Sequence, residues 1–200
     1  MNSGKTAIRR GKPSRPMKLF LSELPALWEI AGHRQTFDWS FFDLGCGRGD
    51  DIEHLLKWSP KSTIIEGYDP NHRPEKEPSE YPSGMFDVVT CFYVLNTLSD
   101  MDAREDVLLN ARRLVKELGI VAVAARSPVN IHRAVRDGWK QYYDGWNTSS
   151  GTYQQGFSAG QLAKMMVDIG FEAVFTLTDN HDYSMVAGIE SLLSSIEYGD

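Results

Sequence analysis

The chain has 200 residues, 42% of them hydrophobic, and a formal net charge of -6 at pH 7. This size suits one domain with a complete hydrophobic core, and no apolar run approaches the roughly 20 residues that a membrane-spanning helix needs. The two cysteines and five histidines form neither a disulfide framework nor a metal-ligand spacing, so we expect a reduced, cytoplasmic setting and no metal.

The first 20 residues carry basic side chains and no acidic one, so all 27 acidic residues lie in the rest of the chain. The basic residues are Lys5, Arg9, Arg10, Lys12, Arg15 and Lys18. We predict a basic arm over residues 1–17 and a single domain over residues 18–200. Such an arm can bind a polyanion such as nucleic acid or a nucleotide, fold back onto its own acidic domain, or remain a solvated tail.

Apolar residues at helical spacing predict a helix over residues 18–31, which Pro25 could divide into two pieces. After the polar residues 33–38, a nearly continuous apolar run over 39–44 predicts a buried strand. A second helix is predicted over 50–58, where acidic residues at the start are followed by apolar ones.

Gly45, Gly47 and Gly49 alternate between this strand and this helix, and Asp43 lies two residues before the first glycine. Glycine allows a positive φ and a close approach of the backbone to a ligand, and the helix start presents free N–H groups. The spacing differs from the G-x-G-x-x-G of dinucleotide-binding folds, and the acidic residues 50–51 would repel a pyrophosphate. They would favour a cofactor that carries an ammonium and a sulfonium group.

A β-branched run over residues 63–69 predicts the second strand, which ends in an acid. A carboxylate at this position can accept hydrogen bonds from both ribose hydroxyls of an adenosine, and Asp69 is the candidate. Glu66 is the alternative if the strand is shorter, and a solvated Asp-Pro turn is the alternative without a ligand. Residues 71–84 carry no strong strand or helix signal.

Further along the chain, residues 85–95 predict a buried strand, residues 101–116 a helix ended by Gly119, and residues 120–125 another buried strand. In an open α/β sheet, ligands bind at the carboxyl ends of the parallel strands. The first of these strands should therefore present residues 92–96 to a ligand.

Residues 127–155 form a long segment rich in aromatic residues, with at most a short helix over 131–140. Long segments of this kind are often functional, and the aromatic side chains could stack on a planar substrate or pack as a lid on the core. A helix over 158–169 follows, and strands over 171–177 and 183–189 should form an antiparallel hairpin.

The string Asp43-Leu44-Gly45-Cys46-Gly47-Arg48-Gly49 resembles motif I of the class I S-adenosylmethionine (SAM)-dependent methyltransferases, and Phe86-Asp87-Val88-Val89 resembles the family's fourth strand. The resemblance implies an α/β, three-layer Rossmann-like sheet with an antiparallel last strand beside the fifth. Residues 71–84 are too few for the family's usual helix, third strand and helix. We therefore expect the third strand to be reduced or absent, and its usual adenine contact to come from elsewhere.

The resemblance also implies that SAM is the cofactor and S-adenosylhomocysteine the product. Asp43 would orient the loop or receive the ammonium group, and Asp69 would hold the ribose. The cofactor-binding residues that it implies are Asp43, Gly45, Cys46, Gly47, Gly49, Asp69, Pro70, Phe92 and Tyr93. The candidate catalytic residues are Tyr93, Asn96, Tyr153 and Lys5. A core tyrosine and a helix-capping asparagine are the alternatives for Tyr93 and Asn96.

Further segments resemble one subgroup, the methyltransferase-like proteins encoded alongside DNA phosphorothioation systems. These segments lie at residues 5–9, 14–16, 68–74, 93–96 and 144–155. The Asp/Asn-Pro-Pro-aromatic motif of amino-group DNA methyltransferases and the Pro-Cys of the C5-cytosine type are both absent. We expect a methyltransferase, with a nucleic-acid-related acceptor favoured by the basic arm and this resemblance. The alternatives are a small-molecule methyltransferase, a SAM-binding regulatory domain without turnover, and a nicotinamide oxidoreductase.

Overall fold

The computed structural model describes Ala7 and residues 9–32, 39–59 and 63–190. Its elements in chain order are α1 (Arg15–Ile30), β1 (Phe41–Leu44), α2 (Asp50–Trp58), β2 (Ile65–Tyr68), β3 (Phe86–Phe92), α3 (Met101–Leu114), β4 (Val115–Arg126), α4 (Pro128–Ala134), β5 (Lys140–Tyr142), β6 (Gly145–Asn147), β7 (Tyr153–Gln154), α5 (Ala159–Asp168), β8 (Ala173–Asp179) and β9 (Tyr183–Ile189). No helix in these ranges is long and apolar enough to cross a membrane.

The larger sheet has the strand order β2-β1-β3-β4-β9-β8. Its first four strands are parallel, β9 runs antiparallel to β4, and β8 pairs antiparallel with β9. Residues 69–85 hold one isolated β-bridge and a 3-10 turn at Pro78–Glu80, with no further strand in this stretch. The Rossmann-like sheet, the antiparallel last strand and the missing third strand are therefore confirmed.

The core lies on both faces of this sheet because successive side chains of a strand point in opposite directions. Phe41 and Val88 belong to a buried cluster that includes side chains of α1 and α2. Phe42 and Val89 belong to a second cluster, which includes side chains of α3 and α5. Two helical layers thus enclose the sheet, and its four central strands are buried on both sides, as is typical of parallel sheets.

The first helix begins earlier than predicted, at Arg15. Ser14 caps it, because its hydroxyl oxygen accepts a hydrogen bond from the Met17 N–H at 3.1 Å. The helix then continues through Pro25 as one element. The last residues of the predicted arm are therefore helical, and of the two predicted alternatives the single helix is confirmed.

The junction between α3 and β4 also differs from the prediction. The helix ends at Leu114, and Gly119 lies inside β4 instead of ending the helix. A Cβ atom on Gly119 would lie 2.9 Å from the Asp87 carbonyl oxygen and 2.8 Å from that of Lys116. Glycine is needed there because two backbones approach closely next to a register shift in the β3–β4 pairing.

The long segment after β4 is more ordered than the sequence indicated. Its short helix is α4, which overlaps the predicted 131–140 by only a few residues. Strands β5, β6 and β7 form a separate three-stranded antiparallel sheet. Strands of two or three residues are too short to give a periodic pattern, so the sequence did not predict this small sheet.

Candidate active site

The glycine loop follows β1 at the carboxyl edge of the sheet. Gly45, Gly47 and Gly49 have φ values of 80°, 55° and 81°, in the left-handed region that glycine adopts without strain. A Cβ atom on Gly45 would lie 2.2 Å from Cγ2 of Val94, just beyond the end of β3. The loop therefore packs closely against the residue that follows β3, and both lie at the carboxyl edge of the sheet.

Asp43 is a buried carboxylate next to this loop, and only 3% of its surface is exposed. Its Oδ1 accepts a hydrogen bond from the Thr90 hydroxyl at 2.8 Å. Burial, and then the nearby charge of Asp51, raise the pKa of Asp43 to about 7. Among the described residues no cationic side chain forms an ion pair with it. A positively charged ligand would therefore be favoured beside Asp43.

Asp69 lies directly after β2 and joins its own turn to the glycine loop. Its Oδ2 accepts a hydrogen bond from the Gly47 N–H at 3.2 Å, and its Oδ1 accepts from the N–H groups of Asn71 and His72 at 2.9 and 3.0 Å. A carboxylate has about four acceptor positions, so these three bonds from described residues leave about one for a ligand. Glu66 pairs with Phe42 in the middle of β2, away from this edge.

The N-terminal arm contacts the start of α2. The Arg10 N–H donates to Oδ2 of Asp50 at 2.8 Å, and the Arg10 guanidinium lies 3.3 Å from Oδ2 of Asp51. The Ser14 N–H donates to Oδ1 of Asp51 at 2.6 Å. The sequence predicts that these two acids face the positive charges of a cofactor, but in the structure they contact the arm. Lys5 lies outside the described residues.

Tyr93 follows β3 with a φ of 62°, and this turn ends the strand earlier than predicted. Its ring makes an edge contact with Tyr183, with 6.3 Å between the centroids. Burial raises the pKa of Tyr93 to about 12, so its hydroxyl keeps the proton at neutral pH. Phe92 is buried and packs edge-on against Phe20 of α1, which places its side chain in the core instead of at the sheet edge.

Asn96 lies in a 3-10 turn after β3 and is 2% exposed. Its Nδ2 donates to Oε1 of Gln154 at 3.4 Å, and the same oxygen accepts from Nη1 of Arg126 at 2.9 Å. Arginine only donates, so the shared atom of Gln154 must be the oxygen, and the atom of Asn96 that faces it must be the nitrogen. The buried Oδ1 of Asn96 is then left without a hydrogen-bond partner among the described residues.

Tyr153 takes part in a different contact. Its hydroxyl hydrogen-bonds to Asp144 and accepts from Nη2 of Arg104 at 3.2 Å, and Arg104 Nη1 lies 2.6 Å from Asp144 Oδ2. Burial alone would raise the pKa of Asp144, but these hydrogen bonds hold it at about 2. The group ties the small sheet to α3. The neighbouring Gln154 reaches Asn96 instead, because adjacent residues of a strand face opposite ways.

Other reactive groups give no further site among the described residues. Cys46 and Cys91 are both free and buried, as expected, and burial followed by the charge of Asp43 raises the pKa of both thiols. Such thiols are poor nucleophiles. No group of three His, Cys, Asp or Glu side chains within the described ranges could hold a metal ion.

A family model described as a methyltransferase domain matches residues 13–175 of the chain. Many solved structures share its fold. One is a 1,6-didemethyltoxoflavin-N1-methyltransferase from Burkholderia thailandensis with 1,6-didemethyltoxoflavin and S-adenosylhomocysteine bound, at a TM-score of 0.60 and 14% identity over 88% of this chain and 79% of that one. A second is a SAM-dependent methyltransferase from Clostridium acetobutylicum, at a TM-score of 0.57 and 14% identity over 88% and 92% of the two chains.

A third is the CurJ carbon methyltransferase, at a TM-score of 0.58 and 15% identity over 90% of this chain and 56% of that one. No curated protein matches the sequence. At these identities the structural similarity shows the fold, and the family match rests on the sequence of most of the chain.

Proposed function

The chain belongs to the class I SAM-dependent methyltransferases, and we propose that it transfers a methyl group to a small molecule at the carboxyl ends of β3 and β4. The observation that carries this proposal is the polar cluster of Asn96, Gln154 and Arg126. It begins two residues beyond Val94, the residue that lies against Gly45 of the glycine loop. Open α/β sheets bind their ligands at this edge.

The glycine loop, Asp43 and Asp69 fit the cofactor. SAM, when bound, supplies an electrophilic methyl group on a positively charged sulfur. Asp43 fits because it is a buried carboxylate without an ion-pair partner among the described residues, so an ammonium group would stabilise its ionised form. In our proposal the backbone of residues 45–49, including Cys46, lies along the methionine part. Asp69 accepts one ribose hydrogen bond, and Pro70 and Tyr93 border the cofactor.

The residues of the polar cluster would align the acceptor and would not remove its proton. Asn96 and Gln154 carry amides, Arg126 carries a guanidinium group, and the Tyr93 hydroxyl stays protonated at neutral pH. None of these groups is a base near pH 7. Holding two reactants in the correct geometry can by itself supply a large part of a rate enhancement, about 7–11 kcal/mol of the barrier in favourable cases.

The small-molecule assignment has two further supports. Two cations near the N-terminus already have acidic partners on the domain, because Arg10 lies beside Asp51 and Arg15 lies 2.5 Å from Asp182. They are therefore less available to a polyanion than the sequence suggested. The similar B. thailandensis structure holds 1,6-didemethyltoxoflavin, a small molecule.

A nucleic-acid-related acceptor is the second candidate, and the excess of basic residues near the N-terminus is the observation that favours it. The resemblance to proteins encoded alongside phosphorothioation systems also favours this candidate. That resemblance rests on short sequence segments alone. A regulatory domain that binds SAM without turnover is the third.

One experiment separates these candidates. The protein is incubated with SAM and, separately, with the small-molecule fraction of a cell extract, with DNA and with RNA, and release of S-adenosylhomocysteine is measured. We expect release with the small-molecule fraction, and none with Gly47→Val as the control. Release with DNA or RNA alone would favour the second candidate. Calorimetric binding of SAM without release in any mixture would favour the regulatory one.

A further inference from the structure

Arg126 is a half-buried cation at the end of β4, and no carboxylate among the described residues forms an ion pair with it. Its Nε donates to Oδ1 of Asn130 at 2.7 Å and its Nη1 to Oε1 of Gln154 at 2.9 Å. Both acceptors are neutral amides, and no described residue accepts from Nη2. Removing a guanidinium from water without a counter-charge is costly, so this position favours an anionic ligand.

The orphan Oδ1 of Asn96 gives the second, independent observation. A fully buried acceptor without a donor is unfavourable in a folded protein and calls for an explanation, such as a water, an ion or a role in the reaction. Gln154 connects it to Arg126, because the same Oε1 accepts from both side chains. An unpaired acceptor and an unpaired cation therefore belong to one hydrogen-bonded group.

We infer that Arg126 and Asn96 bind the methyl acceptor, and that the acceptor is a small molecule with an anionic oxygen group beside an N–H or O–H donor. This inference rests on the proposed function. The guanidinium, held from two sides by Asn130 and Gln154, presents Nη2 to a carboxylate or phosphate. Asn96 Oδ1 accepts a hydrogen bond from the N–H or O–H group of the methyl acceptor. A neutral apolar acceptor would leave both protein groups unpaired, which selects against it.

The anion part can be tested by binding alone. The full chain, saturated with S-adenosylhomocysteine, is titrated with inorganic phosphate or with acetate, against sodium chloride at equal ionic strength. The side-chain Nε–H resonance of Arg126, identified by its absence in Arg126→Gln, should shift and saturate. The exposed Arg133 on α4 is the control and should follow ionic strength only. Saturation with phosphate alone or with acetate alone distinguishes the two anion sources. If Arg126 shifts no more than Arg133 with either anion, the inference is wrong.

Turnover tests the acceptor itself. The small-molecule fraction is separated on an anion exchanger, and the retained part should support release of S-adenosylhomocysteine. Arg126→Gln should lower that release about tenfold or more, the loss expected for a charged hydrogen bond, while Arg133→Gln leaves it unchanged. Release only from the unretained part, unaffected by Arg126→Gln, would overturn the inference and leave the proposed function standing. No release from either part would overturn the proposed function, and the binding titration would still decide on the anion site.

The donor part is tested by Asn96→Leu, which removes the unpaired acceptor with little change in volume. The melting temperature should change little, because the variant loses both the 3.4 Å hydrogen bond from Nδ2 to Gln154 and the buried oxygen that has no donor. Turnover on the retained fraction should fall, and the affinity for S-adenosylhomocysteine should stay the same. A lower melting temperature with unchanged turnover would show that Asn96 has a structural role only.

Discussion

Replacing Asp43 by asparagine should make the protein more stable and a poorer binder of SAM. Asp43 is buried, its only hydrogen bond from a described side chain comes from Thr90, and its pKa is raised to about 7, first by burial and then by Asp51. The carboxylate thus destabilises the free protein when it ionises. Asparagine has the same shape and can still accept from Thr90, and it removes the charge.

The size of the effect follows from the shift in pKa from 3.8 to about 7. The folded chain keeps a proton that the unfolded chain loses between these values, so stability falls as the pH rises through this range and is level above it. One pKa unit corresponds to 1.36 kcal/mol, which gives a ceiling of about 4 kcal/mol above neutral pH and about 2 kcal/mol near pH 5. The amide NH2 group lacks an evident acceptor at a cost of about 1–3 kcal/mol, so we expect Asp43→Asn to gain about 1–3 kcal/mol near pH 8.

Urea unfolding of both proteins near pH 5 and near pH 8 measures this gain, and calorimetry measures the affinity for SAM. The stability advantage of Asp43→Asn should be larger at the higher pH by roughly 2 kcal/mol. SAM binding should weaken about 10- to 100-fold, the loss expected for a hydrogen bond between charged groups. If the variant is less stable by the same amount at both pH values, Asp43 is ionised throughout and the reasoning is refuted.

Three other changes test separate parts of the structure. Gly45→Ala should lose about 2–4 kcal/mol in urea unfolding, because it adds a Cβ at positive φ 2.2 Å from Val94, and Val94→Ala should recover part of that loss. Arg104→Met should cost about 2–3 kcal/mol, the loss expected for hydrogen bonds between charged groups, and speed proteolysis of the small sheet. In the original protein, the ionised Asp144 stabilises the fold at pH values above its unfolded pKa, and this stabilisation is lost as the pH falls towards 2. Arg104→Met should abolish this pH dependence, which is measured as the melting temperature at a series of pH values. Removal of residues 1–13 should lower turnover, because it removes the contacts of Arg10 with Asp50 and Asp51, and unchanged turnover would show that these contacts have no role in the reaction.

The glycine loop and the sheet could be predicted because their signals are local. The apolar run before Asp43 and the alternating glycines lie within a few residues of one another, and each buried strand is a continuous apolar stretch. The missing third strand followed from the shortness of residues 71–84. These features need no information about distant parts of the chain.

The partners of the site residues could not be predicted, because they are distant in sequence. Asp51 looked like a cofactor ligand until the structure placed Arg10 and Ser14 beside it. Gln154 and Arg126 were missed for a similar reason. Gln154 lies in a strand of only two residues, which is too short for a sequence pattern to indicate which side chain faces Arg126. The adjacent Gln154-Gln155 pair was the one available signal, because buried amides are rare without a polar task.

The missing third strand has a consequence for association between molecules. Among the strands that the structure describes, it leaves β2 at the edge of the larger sheet, with backbone groups that another strand could pair with. Two features oppose such pairing: β2 has only four residues, and Glu66 at its centre is exposed and charged. Because the fold lacks this strand, it depends on the shortness of β2 and on the charge of Glu66 to prevent aggregation through this edge. Glu66→Val would retain the strand and its pairing with β1 while adding an apolar, β-branched residue to an unprotected edge.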